Sequence, residues 1–386
     1  MMHRAGLLVL LLVLGGCSSW LGFGGSDVEQ PAALVDFKPS LAITDLWSTD
    51  IGTGPGRQFL RLSPALHGDT FYTVDIKGRV RALAQADGKQ HWQTDLNLDV
   101  SSGVGFGDDL VLVASRKGEV VALDKDKGVV QWRAQVSSEV LAPPAADGGL
   151  VVVQSVDGRL TGLASATGKQ LWTVERSEPA LSLRGTSTPI ILSDAVLTGY
   201  ASGKIAAVNL KNGRLLWETP VAQPQGRSEI ERLIDVDAPA LVSGRTLLAA
   251  AYQGKIVAVN LENGRLLWSR DISTYSALAV DSNNVYVSDV RGSVYALDLR
   301  SGSTVWKQDQ LTLRRLSAPA VTGDTVAVAD FEGYVHWLAR EDGRFLARER
   351  AASAAVLVAP IADGDTVYVT SQNGYLSALR LGTRGH

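Results

Sequence analysis

Three segments of the sequence resemble fragments of chemical sites. Gly103-Val-Gly105-Phe-Gly107 precedes a predicted strand and not a helix, so it lacks the strand–turn–helix context of a dinucleotide site. Gly52-Thr-Gly54-Pro-Gly56 lacks the Lys-Ser/Thr pair of a phosphate-binding loop. Asp124-Lys-Asp126-Lys-Gly128 begins like a calcium loop, but the later acidic ligands are missing. We interpret the three segments as loops and hairpin turns.

The titratable residues show no spacing that is typical of catalysis or of metal binding. None of the five histidines is paired with another at metal-ligand spacing, and there is no Gly-x-Ser-x-Gly nucleophile elbow. Carboxylates are paired at Asp235 and Asp237 and again at Asp363 and Asp365, where the second pair lies in a predicted turn. We therefore predict no catalytic residue, no metal and no cofactor.

Composition excludes further classes of function. The 386 residues contain 37 Lys and Arg against 40 Asp and Glu, a formal net charge of −3, which does not provide the basic face that non-specific nucleic-acid binding requires. A single cysteine excludes an intrachain disulfide and a cysteine-based metal site. With 45% apolar residues the chain is typical of a folded protein.

One repeat organises most of the chain. The pattern is Gly-x-φ-x-x-φ-x-x-x-x-Gly-x-x-x-Trp, where φ is apolar, and its first glycines stand at positions 78, 118, 158, 203, 254, 292, 333 and 374. The six full copies end at Trp92, Trp132, Trp172, Trp217, Trp268 and Trp306. The seventh copy has Ala347 at the tryptophan position, and the eighth stops before reaching it.

Each repeat is predicted to form four short strands, in the second copy at about 101–106, 110–114, 119–124 and 130–135. Four strands per period of about 40 residues are the signature of a propeller blade. Residues 43–50 supply the missing outer strand of blade eight together with its tryptophan, Trp47, and so remove an exposed edge. The predicted fold is all-β, a monomeric eight-bladed β-propeller of four-stranded antiparallel blades over residues 41–386.

The N-terminus has the features of a bacterial lipoprotein signal. A short basic start and the apolar run 5–14 lead to Leu14-Gly-Gly-Cys17, where small residues precede the only cysteine. We predict a signal peptide over residues 1–16, lipidation such as palmitate on Cys17, and a flexible tether over residues 17–40. Ser18, which is not aspartate, predicts sorting to the periplasmic face of the outer membrane, with the lipid as the only membrane anchor.

Two connections between blades are unusually long, and both border blade four. They cover residues 175–185 and 220–239, and insertions on one face of a repeat array commonly form its binding surface. Arg184 and the pair Asp235 and Asp237 should meet near the central opening, beside Leu181 and Leu183. Two interpretations remain open: an internal Arg–Asp pair that holds the loops together, and a protein-docking patch with an arginine anchor.

The lipobox, the tryptophan repeat, Leu181-Ser-Leu-Arg-Gly-x-Ser-x-Pro189 and Asp235-Val-Asp-Ala-Pro239 together resemble the BamB family of lipoproteins. The resemblance covers essentially the whole chain. It implies a non-enzymatic scaffold in the β-barrel assembly (Bam) machinery, which docks on the POTRA domains of BamA and assists the insertion of nascent outer-membrane proteins. It also implies that the residues contacting BamA are Leu181, Leu183, Arg184, Asp235 and Asp237. The absence of tryptophan at Ala347 departs from the repeat and affects the packing of that blade.

Two alternatives belong to other classes of function. The repeat also resembles the tryptophan-docking motif of quinoprotein alcohol dehydrogenases, but those enzymes are much longer and use an adjacent-cysteine disulfide that one cysteine cannot form. The second alternative is a free-standing periplasmic chaperone that binds unfolded barrels along exposed edge strands.

Overall fold

The computed structural model describes residues 29–56, 58, 60–176, 179, 185–222, 234–236 and 238–383. Residues 31–386 form one compact unit, which contains every described strand, and residues 1–30 form a separate unit. Cys17 and the predicted signal peptide lie outside the described residues. Within the described ranges we find no helix that is long and apolar enough to cross a membrane.

The strands form eight four-stranded antiparallel sheets arranged in a ring, which confirms the predicted eight-bladed β-propeller. In order from the first strand to the fourth, the first four blades contain Ala65–His67, Thr70–Val74, Arg79–Ala84 and Gln90–Asp95; Gly105–Gly107, Leu110–Ala114, Glu119–Asp124 and Val130–Gln135; Ala145–Asp147, Leu150–Gln154, Arg159–Ala164 and Gln170–Glu175; and Ile190–Ile191, Ala195–Tyr200, Lys204–Asn209 and Leu215–Pro220. Blades five to eight contain Leu241–Ser243, Thr246–Ala250, Ile256–Asn260 and Leu266–Arg270; Ala279–Val280, Asn284–Ser288, Val294–Asp298 and Thr304–Gln308; Ala320–Thr322, Thr325–Ala329, Tyr334–Ala339 and Phe345–Arg350; and Ile361–Asp363, Thr366–Thr370 and Tyr375–Thr383 with Leu41–Asp50 as the outer strand.

Sequence patterning determines which strands are buried. The second and third strands are almost continuously apolar and lie between neighbouring blades, as Leu110–Ala114 does with every residue buried. The fourth strands alternate exposed and buried residues because one face meets solvent. The first strand of blade two begins later than predicted, at Gly105, because Ser101 and Ser102 donate backbone hydrogen bonds to the carbonyl of Ala114 and belong to the connection.

In every blade except the seventh, a tryptophan on the fourth strand joins the blade to the next. The ring of Trp217 covers Gly264 of blade five, where an added Cβ would lie 2.7 Å from Cε3, and its indole N–H donates to the carbonyl of Leu261 at 3.2 Å. The indoles of the other six donate in the same way, from Trp47, Trp92, Trp132, Trp172, Trp268 and Trp306. The glycine is required because it has positive φ and leaves room for the ring.

Blade eight closes the ring with the two ends of the propeller chain. Leu41–Asp50 pairs antiparallel with Tyr375–Thr383, from Leu41 opposite Thr383 to Asp50 opposite Tyr375. Trp47 of this outer strand then covers Gly88 of blade one, as the other tryptophans cover their glycines. The prediction that residues 43–50 complete the last blade agrees with this pairing.

Residues 31–40, which the sequence prediction assigned to the tether, make defined contacts with blade seven; we call them the strap. The backbone N–H of Ser40 donates to the carbonyl of Leu346 at 2.8 Å, and Phe37 stacks on Phe345 with ring centroids 5.3 Å apart. The Arg348 guanidinium lies 5.0 Å from the centroid of Phe37 and 5.2 Å from that of Phe345, and it donates to the carbonyl of Val35 at 2.9 Å. Nearer its start, the N–H of Ala32 donates to the carbonyl of Thr312 at 2.9 Å.

A buried polar cluster lies in blade seven, next to the strap. Asp330 accepts from Arg314 at 2.7 Å and from Nε2 of His336 at 3.0 Å, and both Asp330 and His336 are fully buried. Arg348 donates to Nδ1 of His336 at 3.1 Å, so the ring is neutral with its proton on Nε2. Burial, together with the nearby arginines, lowers the pKa of His336 although Asp330 opposes this.

Candidate functional site

The predicted docking residues lie in the two long connections that border blade four. Leu181, Leu183, Arg184 and Asp237 are outside the described residues, so the predicted meeting of Arg184 with the two aspartates stays a prediction. Asp235 is the member of the set that the structure describes, and the residues at the ends of both connections are described too. These ends show how the loops are positioned.

The first connection is held at both ends by neighbouring blades. At its start, Arg176 pairs with Glu218 of blade four, with Nη1 and Oε2 3.6 Å apart, and its N–H donates to the carbonyl of Gly158. At its end, the hydroxyl of Thr186 accepts from the N–H of Ala142 at 2.9 Å. The described ends of the first connection are therefore tied to blades three and four at its start and to the segment that enters blade three at its end. The sequence does not predict this role for Thr186, because a lone threonine beside a loop carries no pattern.

The second connection leaves and returns at one hairpin of blade four. The N–H groups of Val221 and Ala222 donate to the carbonyl of Gly203 at 2.8 and 3.1 Å, and Val236 donates to Tyr200 at 3.4 Å. Gly203 also packs against this returning segment, since an added Cβ there would lie 2.3 Å from Cδ1 of Ile234. The two described ends of the second connection, residues 221–222 and 234–236, therefore lie close together at this hairpin.

Asp235 lies at the second of these ends and is buried. Its side chain is 1% exposed, between Ile234 and Val236, which are buried as well. It forms an isolated antiparallel bridge with Tyr252 of blade five, whose N–H donates to the Asp235 carbonyl at 3.0 Å. The backbone at Asp235 therefore ties the second connection to blade five.

The ends of both connections reach the central cavity of the propeller, which has a volume of about 620 Å³. Gly185 and Thr186 line it from the first connection, and Pro239 lines it from the second. Tyr252, Tyr275 and several leucines make the lining largely apolar. Among the residues that the structure describes, no group of three or more histidines, cysteines or carboxylates could hold a metal ion.

Comparison with known proteins decides the family. A family model described as outer membrane protein assembly factor BamB matches residues 44–102 and 76–308. The protein of that name from Pseudomonas aeruginosa is 51% identical over 317 residues, which is 82% of each chain. The chain belongs to the BamB family. The BamB protein of Escherichia coli is 34% identical over 81% of this chain and 82% of its own length.

Solved structures agree with this family. The crystal structure of BamB from Moraxella catarrhalis superposes with a TM-score of 0.80 at 26% identity and covers 88% of this chain and all of the other. A quinohemoprotein alcohol dehydrogenase from Pseudomonas putida has a TM-score of 0.70 at 14% identity, covers 89% of this chain and 77% of its own, and shares the fold alone. The BamB relatives are named assembly factors, which confirms the prediction that the chain is not an enzyme.

Proposed function

We propose that this protein is a scaffold of the outer-membrane β-barrel assembly machinery that docks on the POTRA domains of BamA and assists the assembly and insertion of outer-membrane proteins. Membership of the BamB family supports the assembly role. The observation that carries the docking surface is the placement of the two long connections, which border one blade and end at the rim of one cavity.

We assign separate roles to the residues of the proposed docking surface. Leu181, Leu183 and Arg184 belong to the segment that begins after Arg176 and ends before Thr186, and we assign them the direct contacts with BamA. Asp235 is buried in this arrangement, so it supports the loop base, and Asp237, two residues further on, is the carboxylate that we assign to the partner.

Arg184→Ala tests the proposal. Truncation of a desolvated charged anchor costs on the order of 2–5 kcal/mol, which weakens BamA binding roughly 30- to several-thousand-fold. Arg176→Ala is the matched control, because that arginine stands at the start of the same loop but pairs internally with Glu218. Binding to immobilised POTRA domains and thermal melting are measured for both. Retained binding by Arg184→Ala with a large fall in melting temperature contradicts the proposal and favours an internal pair.

We also propose that the protein is held at the periplasmic face of the outer membrane by a lipid on Cys17. The sole cysteine follows an apolar signal and two glycines, which is where a lipoprotein box places it. Cys17→Ser should abolish incorporation of labelled palmitate and release the protein from the membrane fraction. Continued incorporation by that variant would contradict the assignment.

A further inference from the structure

Two arginines line the central cavity that the ends of both long connections reach. Arg61 belongs to residues 51–64, which lead from the outer strand of blade eight into blade one, and Arg315 belongs to the connection that enters blade seven. Both side chains are exposed, and neither forms an ion pair within the residues that the structure describes. Asp75 lines the cavity too, but its carboxylate is already paired with Arg79 at 2.6 Å. The described lining therefore carries an uncompensated positive charge.

The side chain of Arg61 reaches across the central opening. Its Nη2 donates to the carbonyl of Tyr275 at 2.7 Å, so a residue that leads into blade one is bonded to the connection that enters blade six. Leu60 and Leu62 on either side are buried, which fixes the backbone from which the side chain extends. A guanidinium has five N–H donors, and within the described ranges the bond to Tyr275 uses only one of them. The other donors are available to a ligand.

A strained backbone places Arg315 at the cavity. The φ angle is +49° for Arg315 and +59° for Leu313, in the left-handed region that favours glycine. Arg314 between them is buried and donates to Asp330, whereas Arg315 is exposed at the cavity. The strained segment thus directs two consecutive arginines into different environments. Backbone strain of this kind clusters at ligand-binding sites, where it holds a side chain in position.

Apolar side chains form much of the wall around the two cations. They come from the connections that enter blades one, three, seven and eight, and they are Leu60, Leu62, Leu141, Leu316, Leu357 and Val358. The volume of about 620 Å³ lies within the range of small-molecule sites. A mostly apolar wall with a few convergent polar groups is the usual construction of such a site.

We propose that the central cavity binds a single-chain amphiphile with an anionic head group, which is a carboxylate or a phosphate. Arg61 and Arg315 bind the head group, because guanidinium donors match the oxygens of either anion. The apolar wall covers the hydrocarbon chain, and the volume suits one chain rather than two. Two uncompensated cations disfavour a cationic head group. The inference does not depend on the proposed docking to BamA.

The test removes the two cations and compares the result with the same change of charge elsewhere. Arg61→Gln with Arg315→Gln removes both positive charges from the cavity. Arg245→Gln with Arg344→Gln is the matched control, because these arginines are exposed in hairpins and each pairs with a nearby carboxylate. Ala277→Trp is a third variant, which fills the cavity from its wall and leaves the charge unchanged.

Each protein is prepared as the full mature chain with Cys17→Ser, so that no detergent is present to compete. The probe is dansyl-undecanoate, whose fluorescence rises when it enters an apolar site. Dodecanoate, dodecyl phosphate and dodecyltrimethylammonium are added as competitors. The first two distinguish the head groups, since the one that displaces the probe at the lower concentration identifies the ligand as a carboxylate or a phosphate.

We expect Arg61→Gln with Arg315→Gln to bind the probe about tenfold more weakly than the parent, with an unchanged melting temperature. Ala277→Trp should weaken binding by at least as much, and the control pair should behave like the parent. Dodecyltrimethylammonium should not displace the probe.

Three results would overturn the inference: no binding by the parent, equal weakening by the control pair, and displacement by dodecyltrimethylammonium as effective as by dodecanoate. A parent that does not bind the probe, together with loss of POTRA binding in Arg61→Gln with Arg315→Gln, would assign the two arginines to the protein partner instead.

Discussion

Trp337 and Ala347 are direct cross-strand partners in blade seven, and their residue types are exchanged relative to the other blades: the tryptophan is on the third strand and the alanine on the fourth. In blades one to six and in blade eight, the fourth strand carries the tryptophan and the third strand carries alanine or glycine opposite it, as in the pair Ala207 and Trp217. In blade seven the tryptophan is on the third strand and is fully buried.

The exchange has a physical cause in the next blade. A tryptophan on a fourth strand needs a glycine in the hairpin between the third and fourth strands of its neighbour, as Trp306 needs Gly343. Blade eight has no such hairpin, because its fourth strand is the N-terminal segment Leu41–Asp50. Leu41 and Ile43 pack there instead, against the core that contains Trp337 and Ala347.

The exchange predicts a coupling between the two sites. Trp337→Ala should lower the free energy of unfolding by about 3–5 kcal/mol, and Ala347→Trp should lower it by about 1–3 kcal/mol through overpacking. The loss for the double variant should be smaller than the sum of the two single losses by at least about 1 kcal/mol, since the new ring then fills the space of the one removed. Denaturant unfolding of the parent, the two single variants and the double variant measures this difference. Strictly additive losses would contradict the idea that the two rings occupy the same space.

Gly264→Ala should destabilise the protein by about 2–4 kcal/mol, because φ is +71° and the new Cβ would lie 2.7 Å from the ring of Trp217. Gly244→Ala is the matched control: φ is +57° but no atom lies within 4 Å of the added Cβ, so about 1 kcal/mol of backbone strain is expected. Equal losses for both variants in chemical unfolding would show that ring docking contributes little.

A chain that begins at Gly52 should melt about 10 °C or more below a chain that begins at Pro31. The truncation removes the pairing of Leu41–Asp50 with Tyr375–Thr383 and the docking of Trp47 on blade one. Calorimetry of the two purified proteins provides the measurement. Identical melting would mean that blade eight is stable without its fourth strand.

The stability of blade seven should depend on pH through His336. Burial lowers the pKa of this histidine in the folded protein, so below about pH 6.5 the unfolded chain takes up a proton that the folded chain does not. The free energy of unfolding should therefore fall as the pH is lowered from 7 to 5, by up to about 1.4 kcal/mol per pH unit. His336→Gln should flatten this dependence.

His91→Gln serves as the control for that measurement, because His91 is exposed on blade one. The pH range of the measurement is kept above 5 because of Asp330. Hydrogen bonds from His336 and Arg314 outweigh the effect of burial and lower the pKa of Asp330, so its own contribution is lost only at more acidic pH. An equal slope for the parent and for His336→Gln would contradict the assignment.

The sequence predicts the blades well because the residues that define them act locally. The second glycine of each repeat turns a hairpin and the tryptophan covers the next such glycine, so a fixed spacing carries both the strand pairing and the contact between blades. The exchange at Trp337 and Ala347 is not apparent from that spacing, since it depends on which segment forms the fourth strand of blade eight. Only the closed ring reveals it.

The candidate site was less predictable, for a related reason. Asp-Val-Asp in a long connection is typical of a solvated loop, yet Asp235 is buried where the loop base meets blade five. The strap includes Asp36 and Lys38, and its composition predicts a tether, although Val35 and Phe37 contact blade seven. In both cases the partner lies far away in sequence, and local composition carries no information about it.

The pairing of Leu41 with Thr383 also sets an order of events during biogenesis. The ring cannot close until the C-terminal strand has been synthesised, however early the first blades form. Until then the second strand of blade eight has no outer neighbour, and Leu41–Asp50 has no strand with which to pair. Synthesis of the whole chain is thus a precondition for the native state, and truncated translation products retain an open edge that is prone to aggregation.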